Sequence, residues 1–444
     1  MQAYISERSE NLTGRVKLPG DKSISHRSLM FSALGAGEAK ITGLLEGEDV
    51  IATADALRAM GCDIRKEDDI WYVSNPDQLQ SPHDMLYMGN SGTTTRLMMG
   101  LVAGQGVSAC FTGDASLSKR PMGRVTKPLA QMGVEFKVQK DTVGRDILPI
   151  TVIPSDKMEA IDYVLPVASA QAKSAILLAA LGCEQEVSVT EPKATRDHTE
   201  RMLKGMGADI KTENLADGAM KITIKSGNQL TNQDIDVPGD PSSAAFVIAA
   251  ALLVPGSDVT IENMCMNPTR TGFVKTAQEM GADITFENER DVSGEKVADV
   301  RVKYTQRLNA VSVPAERAAW MIDEYPILFV LCSFAKGESY MPGLDELRVK
   351  ESDRLAIMAE NLTSCGVALI EGKDDLKITG SDQVTGGAKV STHLDHRIAM
   401  SFLIMGMATD RPIEIDDIAP IRTSFPDFID LMTGLGAKFS PSSF

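Results

Sequence analysis

The chain has 444 residues, with 45 Lys or Arg and 61 Asp or Glu, so its formal charge at pH 7 is −16. This length suits two or three domains, each with a substantial core. The negative charge has the wrong sign for a general binder of nucleic acid or anionic membranes. An anionic substrate would therefore need a locally basic pocket.

The cysteines and the apolar runs indicate where in the cell the protein is located. Six cysteines lie far apart with no C-x-x-C pair, and residues 1–8 lack the apolar core of a signal peptide. The longest apolar run, at residues 244–254, is well short of the roughly 18 residues expected of a membrane-spanning helix. We predict free thiols, a cytoplasmic location and no membrane segment.

An internal repeat runs through the chain. A glycine follows a helical pattern and precedes alternating apolar residues at six places spaced 70 to 85 residues apart, namely Gly61, Gly133, Gly207, Gly281, Gly366 and Gly436. Glycine is favoured just beyond the C-terminus of a helix, and alternation is typical of a strand. Each unit therefore contains a helix-to-strand transition.

A second, more apolar helix is predicted before each of these transitions, for example at residues 169–182, 242–254, 323–335 and 395–407. Helices that are apolar nearly all round are buried. Their openings are polar, at residues 22–23, 90–93, 169–171, 240–243, 323–324 and 395–397. Simple N-capping explains such residues. The alternative is that several helix N-termini point into one cleft, where their partial positive charge attracts an anion.

Six units divide naturally into two domains of three, each with three helices inside. The segment Val237-Pro238-Gly239-Asp240 resembles Leu18-Pro19-Gly20-Asp21, and a polar stretch at 228–233 precedes it. Both segments are interpreted as crossings between domains. We predict an α/β (α+β) fold with one domain at residues 20–237 and a second formed by residues 1–19 and 238–444.

The densest chemical signal is the helix start flanked by Lys22 and Arg27, where two cations suit a phosphate or carboxylate. The spacing of Gly14, Gly20 and Lys22 excludes a P-loop. A G-x-G-x-x-A match at 104–109 follows a helix and enters a strand, the reverse of a dinucleotide site, so no cofactor is expected. His393 and His396 have no third soft ligand nearby, so a structural or orienting role is favoured and no metal is expected.

Seven segments together resemble, in order, the motifs of the 5-enolpyruvylshikimate-3-phosphate (EPSP) synthase family. They are 19–27 (PGDKSISHR), 89–93 (GNSGT) followed by Arg96, 119–122 (KRPM), 168–174 (ASAQAKS), 323–326 (DEYP), 347–354 (LRVKESDR) and 395–397 (DHR). The resemblance spans nearly the whole chain. It implies two domains, each of three βαβαββ units around buried parallel helices, with the active site in the interdomain cleft. That fold agrees with the repeat count.

The resemblance also implies an activity and a set of site residues. The activity is transfer of the enolpyruvyl group of phosphoenolpyruvate to shikimate-3-phosphate in the shikimate pathway, with inhibition by glyphosate. Shikimate-3-phosphate would be bound by Lys22, Ser23, Arg27, Ser169, Gln171, Asp323 and Lys350. Phosphoenolpyruvate would be bound by Lys22, Gly92, Arg120, Gln171, Arg354 and Arg397. The catalytic groups would be Asp323, Glu351 and Lys22.

One departure and two alternatives qualify this interpretation. Many members of the family carry a Lys where this chain has Thr423, which puts one phosphoenolpyruvate contact in doubt, and the role is not transferred to Arg422. The related UDP-N-acetylglucosamine enolpyruvyl transferases typically carry a loop Cys at the position of Ala115 and an Asn at that of Ser23. A non-catalytic repeat scaffold would repeat its binding groups in every unit, whereas here they vary. We expect a monomer whose partners are its small-molecule substrates.

Overall fold

The computed structural model describes residues 2–216 and 218–442. The chain forms two compact units. The first, called the central unit, comprises Gly20–Val237 together with Val292–Gly294. The second, called the terminal unit, comprises Met1–Pro19, Pro238–Asp291 and Glu295–Phe444.

The described residues form thirteen α-helices and several short 3-10 turns. The helices are α1 (Lys22–Ser32), α2 (Glu48–Ala59), α3 (Gly92–Gly104), α4 (Gly123–Gln131), α5 (Ala170–Ala180), α6 (His198–Gly205), α7 (Pro241–Leu253), α8 (Gly272–Glu279), α9 (Ala318–Met321), α10 (Tyr325–Ser333), α11 (Arg354–Ser364), α12 (His396–Gly406) and α13 (Phe428–Leu435). The 3-10 turns are Leu117–Lys119, Ala315–Arg317, Asp345–Val349 and Ala419–Thr423.

The strands are short and alternate with these helices. They are β1 (Tyr4–Glu7), β2 (Thr13–Lys17), β3 (Glu38–Thr42), β4 (Asp63–Glu67), β5 (Ile70–Ser74), β6 (Leu86–Tyr87), β7 (Ala109–Thr112), β8 (Glu135–Lys140), β9 (Asp146–Ile153), β10 (Asp162–Val164), β11 (Val187–Glu191), β12 (Asp209–Asn214), β13 (Met220–Lys225), β14 (Ile235–Asp236), β15 (Asp258–Cys265), β16 (Asp283–Val292), β17 (Glu295–Lys303), β18 (Gly337–Pro342), β19 (Ala368–Glu371), β20 (Asp375–Gly380), β21 (Lys389–Val390), β22 (Ile413–Ile415) and β23 (Lys438–Pro441).

The described strands form six small sheets, of which five have four strands and one has three. In the central unit the strand orders are β14-β3-β5-β4, β6-β7-β9-β8 and β10-β11-β13-β12. In each of these sheets the first pair is parallel and the other two pairs are antiparallel. The terminal unit has β16-β17-β15-β2, β18-β20-β19 and β21-β22-β1-β23. Strand β1 lies between β22 and β23, so the N-terminal segment completes the sheet of the last repeat.

The helix endings follow from the glycines of the repeat. Gly61, Gly133, Gly207, Gly281, Gly366 and Gly436 all have φ between 87° and 116°, a left-handed conformation that side-chain-bearing residues rarely adopt. A strand begins two residues after each of them. The predicted helix-to-strand transitions and the α/β class are therefore confirmed.

Three inner helices, α1, α3 and α5, pack together in the central unit, and α3 and α5 run in the same direction. Helices α3 and α5 pack so closely that a Cβ added at Gly100 would lie 2.1 Å from the carbonyl oxygen of Ala175. Near the start of the same two helices, Arg96 donates to Gln171 at 2.6 Å. Arg27 of α1 donates to Ser174 of α5 at 2.8 Å. The N-termini of the three helices therefore lie at one end of the unit.

The terminal unit repeats this arrangement with α7, α10 and α12, which are buried along almost their whole length. Ser242 at the start of α7 donates to the carboxylate of Glu324, the residue before α10. Arg397 at the start of α12 donates to the carbonyl of Asp323 at 3.1 Å. These three N-termini also meet at one end. The predicted burial of the apolar helices is confirmed in both units.

Candidate functional site

The predicted site residues, together with the motif residues Arg96 and Asp395, fall into two groups, one in each unit. The basic cluster lies at the N-terminal end of the inner helices of the central unit and contains Lys22, Ser23, Arg27, Gly92, Arg96, Arg120, Ser169 and Gln171. The ion-pair cluster lies at the corresponding end of the terminal unit and contains Asp323, Lys350, Glu351, Arg354, Asp395 and Arg397.

Capping residues shape both clusters. Asp21, Ser91, Ser169, Asp240 and Asp395 each accept a hydrogen bond from a backbone N–H of the helix that follows. These caps account for most of the polar helix openings seen in the sequence. Helix α10 is different, because Glu324 at its N-cap position makes no such bond. The residue before it, Asp323, contacts the cationic side chains of Lys350 and Arg354.

Lys22 is the first residue of α1, and its ammonium forms an ion pair with the carboxylate of Asp49 on α2. The Lys22 side chain is 24% exposed, so its charge is accessible from solvent. The carbonyl of Asp49 also accepts from the hydroxyl of Thr94 on α3 at 3.3 Å. Asp49 belongs to no motif, and only its place among acidic residues at a helix start could have indicated it from the sequence.

Gln171 is oriented by its neighbours on α3. Its amide oxygen accepts from Arg96 Nη1 at 2.6 Å, and its amide nitrogen donates to Thr93 Oγ1 at 2.9 Å. Arg96 also donates to the carbonyl of Pro121 at 3.3 Å. The sequence indicated Arg96 only as part of a motif. In the structure it fixes which way the Gln171 amide faces.

Arg120 lies beside Gly92 at the start of α3. Its Nη2 donates to Asn90 Oδ1 at 2.6 Å, and the Asn90 amide in turn donates to Asp114 at 2.7 Å. A Cβ built on Gly92 would lie 3.3 Å from Nη1 of Arg120 and 2.9 Å from Nη1 of Arg96. Because Gly92 has no side chain, there is room beside it for both guanidinium groups.

Arg354 is the centre of the ion-pair cluster and is 1% exposed. Its guanidinium contacts Asp395 at 2.8 Å, Glu351 at 2.6 Å and Asp323 at 3.4 Å. Burial lowers the pKa of Arg354, but the carboxylates of Asp395, Glu351 and Asp323 outweigh burial and raise it overall. This arginine is therefore permanently charged, and it fixes the positions of three carboxylates.

Asp323 and Asp395 hold different partners around Arg354. Lys350 contacts the same Asp323 oxygen as Arg354, at 3.2 Å. Asp395 accepts from the hydroxyl of Ser352 at 3.0 Å and caps α12 through the N–H of Arg397. Burial raises the pKa of Asp395, but the charge of Arg354 opposes it and the pKa is lowered overall.

The two histidines considered in the sequence have separate environments. Burial lowers the pKa of His396 to about 3, so its imidazole is neutral at physiological pH. His393 has φ of 50°, in a tight turn before α12. The burial of His396 inside the unit fits the structural role considered in the sequence.

Thr423 stands at the end of a 3-10 turn, and its hydroxyl donates to the carbonyl of Pro420 at 2.8 Å. The hydroxyl thus closes its own turn, and the adjacent Arg422 is exposed. The departure from the family pattern noted in the sequence therefore places a small neutral side chain at this position.

The family model of EPSP synthase (3-phosphoshikimate 1-carboxyvinyltransferase) matches residues 6–432. The 3-phosphoshikimate 1-carboxyvinyltransferase of Pseudomonas sp. (strain PG2982) is 54% identical over 98% of this chain and 97% of the relative. That of Brucella melitensis biotype 2 is 54% identical with the same coverage. The chain belongs to the EPSP synthase family.

Solved structures agree with this membership. The EPSP synthase of Acinetobacter baumannii superposes with a TM-score of 0.88 at 41% identity, over 100% of both chains. The enolpyruvyl transferase NikO of Streptomyces tendae has a TM-score of 0.77 at 16% identity, covering 100% of this chain and 99% of NikO. At that identity the NikO match supports the fold alone. Among the described residues, no helix has both the length and the apolar character needed to cross a membrane.

Proposed function

We infer that the chain transfers the enolpyruvyl group of phosphoenolpyruvate to the 5-hydroxyl of shikimate-3-phosphate and releases phosphate. The hydroxyl oxygen bonds to C2 of phosphoenolpyruvate while C3 gains a proton, which gives a tetrahedral intermediate. The bond from C2 to the phosphate oxygen then breaks as C3 loses a proton. The observation that carries the inference is the gathering of the family's cationic and acidic motif residues into two clusters at helix N-termini.

The basic cluster suits phosphoenolpyruvate, which carries a phosphate and a carboxylate. We assign its binding to Lys22, Gly92, Arg120 and Gln171, with Arg354 and Arg397 contributing from the ion-pair cluster. Planar guanidinium groups bind such anions through paired, charge-assisted hydrogen bonds. Support comes from the hydrogen bond that Arg120 donates to the amide oxygen of Asn90, which holds the guanidinium beside Gly92.

Shikimate-3-phosphate is assigned to Lys22, Ser23, Arg27, Ser169 and Gln171, together with Asp323 and Lys350. The Ser169 hydroxyl accepts from the N–H of Ala172 at 3.3 Å. A hydroxyl that accepts still has a hydrogen to donate, so Ser169 is able to donate to a phosphate at a helix N-terminus.

Proton transfer is assigned to Asp323, Glu351 and Lys22. Asp323 would accept the proton of the 5-hydroxyl, because Lys350 and Arg354 hold its carboxylate in one orientation, as a general base requires. Glu351 is positioned by Arg354 in the same way and would exchange the C3 proton. Lys22 would donate to the leaving phosphate.

The proposal includes a cytoplasmic location and a monomeric state. All six cysteines are free thiols, five of them buried, which suits a reducing cytoplasm. Large exposed apolar side chains in the described residues are scattered, for example Met85, Val143 and Leu215, and this supports a monomer. Sedimentation velocity of the purified protein tests the monomer, since a dimer would double the mass.

The activity is tested by measuring phosphate release with both substrates and with each one omitted. Release should require phosphoenolpyruvate and shikimate-3-phosphate together. A third reaction replaces shikimate-3-phosphate with UDP-N-acetylglucosamine and should release none. Phosphate release only with the nucleotide sugar, or no release in any mixture, would overturn the proposed function.

A further inference from the structure

Arg27 is held in a way that the assignment of substrate ligands does not explain. Its side chain lies between α1, α5 and α6, and the residue is only 3% exposed. Nε donates to Thr199 Oγ1 at 2.7 Å, Nη2 donates to Ser174 Oγ at 2.8 Å, and Nη1 donates to the carbonyl of Ser23 at 2.9 Å. The two hydroxyls are also hydrogen-bonded to each other, at 2.7 Å.

These contacts fix the plane of the guanidinium. Nε–H and the adjacent Nη2–H point in the same direction from one edge of the group, so two joined hydroxyl oxygens can accept from both at once. The bond between Ser174 and Thr199 keeps the spacing of the acceptors constant. A long side chain that would otherwise sample many rotamers is thereby restricted to one.

A buried ion pair lies next to the two hydroxyls. Lys173 precedes Ser174 on α5, Glu200 follows Thr199 on α6, and their charged groups are 2.8 Å apart. Glu191 contacts the same ammonium at 3.0 Å and also accepts from the N–H and hydroxyl of Thr195 in the loop before α6. The ion pair thus joins the two helices beside the hydroxyl pair.

A gain in folding stability does not by itself explain why these charged side chains are buried together. Taking a lysine and two glutamates out of water is costly, and apolar residues of similar volume often stabilise a core as well or better. Burial lowers the pKa of Lys173, but Glu200 and Glu191 outweigh burial and raise it, so the pair stays charged. A charged pair with fixed geometry sets the distance between α5 and α6 at the level of the hydroxyls.

We propose that Ser174 and Thr199 are positioning residues, which orient the Arg27 guanidinium for shikimate-3-phosphate across a helix interface spaced by the Lys173–Glu200 ion pair. The proposal rests on the proposed function, in which Arg27 binds this substrate. Neither hydroxyl is assigned a contact with substrate. Their effect on binding passes through the guanidinium.

The test removes one hydroxyl without changing side-chain shape. In the absence of phosphoenolpyruvate, Thr199→Val should bind shikimate-3-phosphate about tenfold more weakly, as measured by isothermal titration calorimetry, which corresponds to about 1.4 kcal/mol. The KM for phosphoenolpyruvate at saturating shikimate-3-phosphate should change by less than about twofold, because Arg120 and Gln171 are untouched. Thr199→Ser retains the hydroxyl and should restore binding.

Ser174→Ala tests the second hydroxyl and has a matched control. Ser28 is also a buried serine of an inner helix, but its hydroxyl donates to the carbonyl of Ile24. Ser28→Ala should leave binding of shikimate-3-phosphate at the wild-type level, whereas Ser174→Ala should weaken it. Equal weakening in both variants, with equal falls in thermal stability, would show that loss of a buried hydroxyl alone explains the effect.

The outcomes separate this proposal from the proposed function. Wild-type protein that releases phosphate, with Thr199→Val and Ser174→Ala binding shikimate-3-phosphate normally, would overturn the positioning role alone. Wild-type protein that binds shikimate-3-phosphate but releases no phosphate would overturn the proposed function alone. Wild-type protein that does not bind it would overturn both.

Discussion

The basic cluster and the ion-pair cluster occupy equivalent ends of two similar units but treat charge differently. In the central unit Arg27, Arg96 and Arg120 donate to hydroxyl, amide and carbonyl oxygens. In the terminal unit Arg354 contacts three carboxylates, and Asp323 contacts two cations.

The difference indicates that the arginines of the two clusters have different roles. Neutral partners orient a guanidinium and keep its charge available for an anionic substrate. Arg354 instead holds its carboxylate partners in fixed positions, and carboxylates are groups able to accept and return protons. Under the proposed function, the carboxylates that transfer protons, Asp323 and Glu351, both lie in the ion-pair cluster, whereas both clusters supply cations for the anionic substrates.

The largest expected effect is the loss of activity on changing Asp323. Asp323→Asn keeps the size of the side chain but removes its basicity, so kcat should fall by about a hundredfold to ten-thousandfold. Steady-state phosphate release measures this. Asp345→Asn, an exposed carboxylate of the same unit, is the control and should keep wild-type kcat. Near-normal turnover of Asp323→Asn would remove the general base from the ion-pair cluster.

The two clusters should differ in what an arginine contributes to stability. Arg354→Met leaves three buried or half-buried carboxylates without their shared cation, and should lower the free energy of unfolding by about 3–5 kcal/mol. Arg120→Met breaks the hydrogen bond to Asn90 at a half-buried position, and should lower stability by less than about 1 kcal/mol while raising the KM for phosphoenolpyruvate. Urea unfolding of both variants measures the contrast. Similar losses of stability would contradict the division between the clusters.

Acid should destabilise both units through a buried histidine in each. Burial, with help from Lys22 and Arg27, lowers the pKa of His26 well below its usual value, and burial lowers that of His396 to about 3. The unfolded chain binds these protons near pH 6.5, but the folded chain does not. Each histidine therefore contributes stability above pH 6.5 that is lost as pH falls, at up to about 1.4 kcal/mol per pH unit. For His396 this loss continues down to about pH 3.

The histidine effect can be assigned to a unit by hydrogen exchange. His396→Gln should reduce the rise in exchange between pH 7 and pH 5 in peptides of the terminal unit, after correction for intrinsic rates. His26→Gln should do so in the central unit. Unchanged pH dependence in both variants would show that carboxylates dominate acid unfolding.

Several features of the fold could be predicted because they depend on local chemistry. Gly61 and its five counterparts mark helix ends, since only glycine adopts their φ without strain. The burial of the inner helices could be predicted because their sequences are apolar on nearly every side. The partners within each site could not be predicted, because contacts such as Lys22 with Asp49 or Arg27 with Thr199 join residues far apart in the sequence. The family resemblance named ligands, but not the groups that orient them.

The smallest expected effect concerns Gly92, the residue of the basic cluster whose lack of a side chain matters. Its backbone is outside the left-handed region, so alanine causes no backbone strain. The new methyl group would instead lie 2.9 Å from Arg96 and 3.3 Å from Arg120, and both guanidinium groups would have to shift. The phosphoenolpyruvate contacts assigned to Arg120 would shift with them.

Glyphosate, which the resemblance implies binds in place of phosphoenolpyruvate and is slightly longer, should lose more from this shift than the substrate does. Overpacking of a fitted site costs about 1–3 kcal/mol, and a difference of 1.4 kcal/mol between two ligands is a tenfold change in selectivity. Gly92→Ala should therefore raise the inhibition constant of glyphosate about tenfold more than it raises the KM for phosphoenolpyruvate. Gly123→Ala is the matched control, because Gly123 also begins a helix of this unit and a Cβ there would meet only Lys127, at 3.8 Å. Equal losses for inhibitor and substrate would mean that the methyl group disturbs the whole basic cluster. A wild-type protein insensitive to glyphosate would instead point to Thr423, where the family's usual cation is absent.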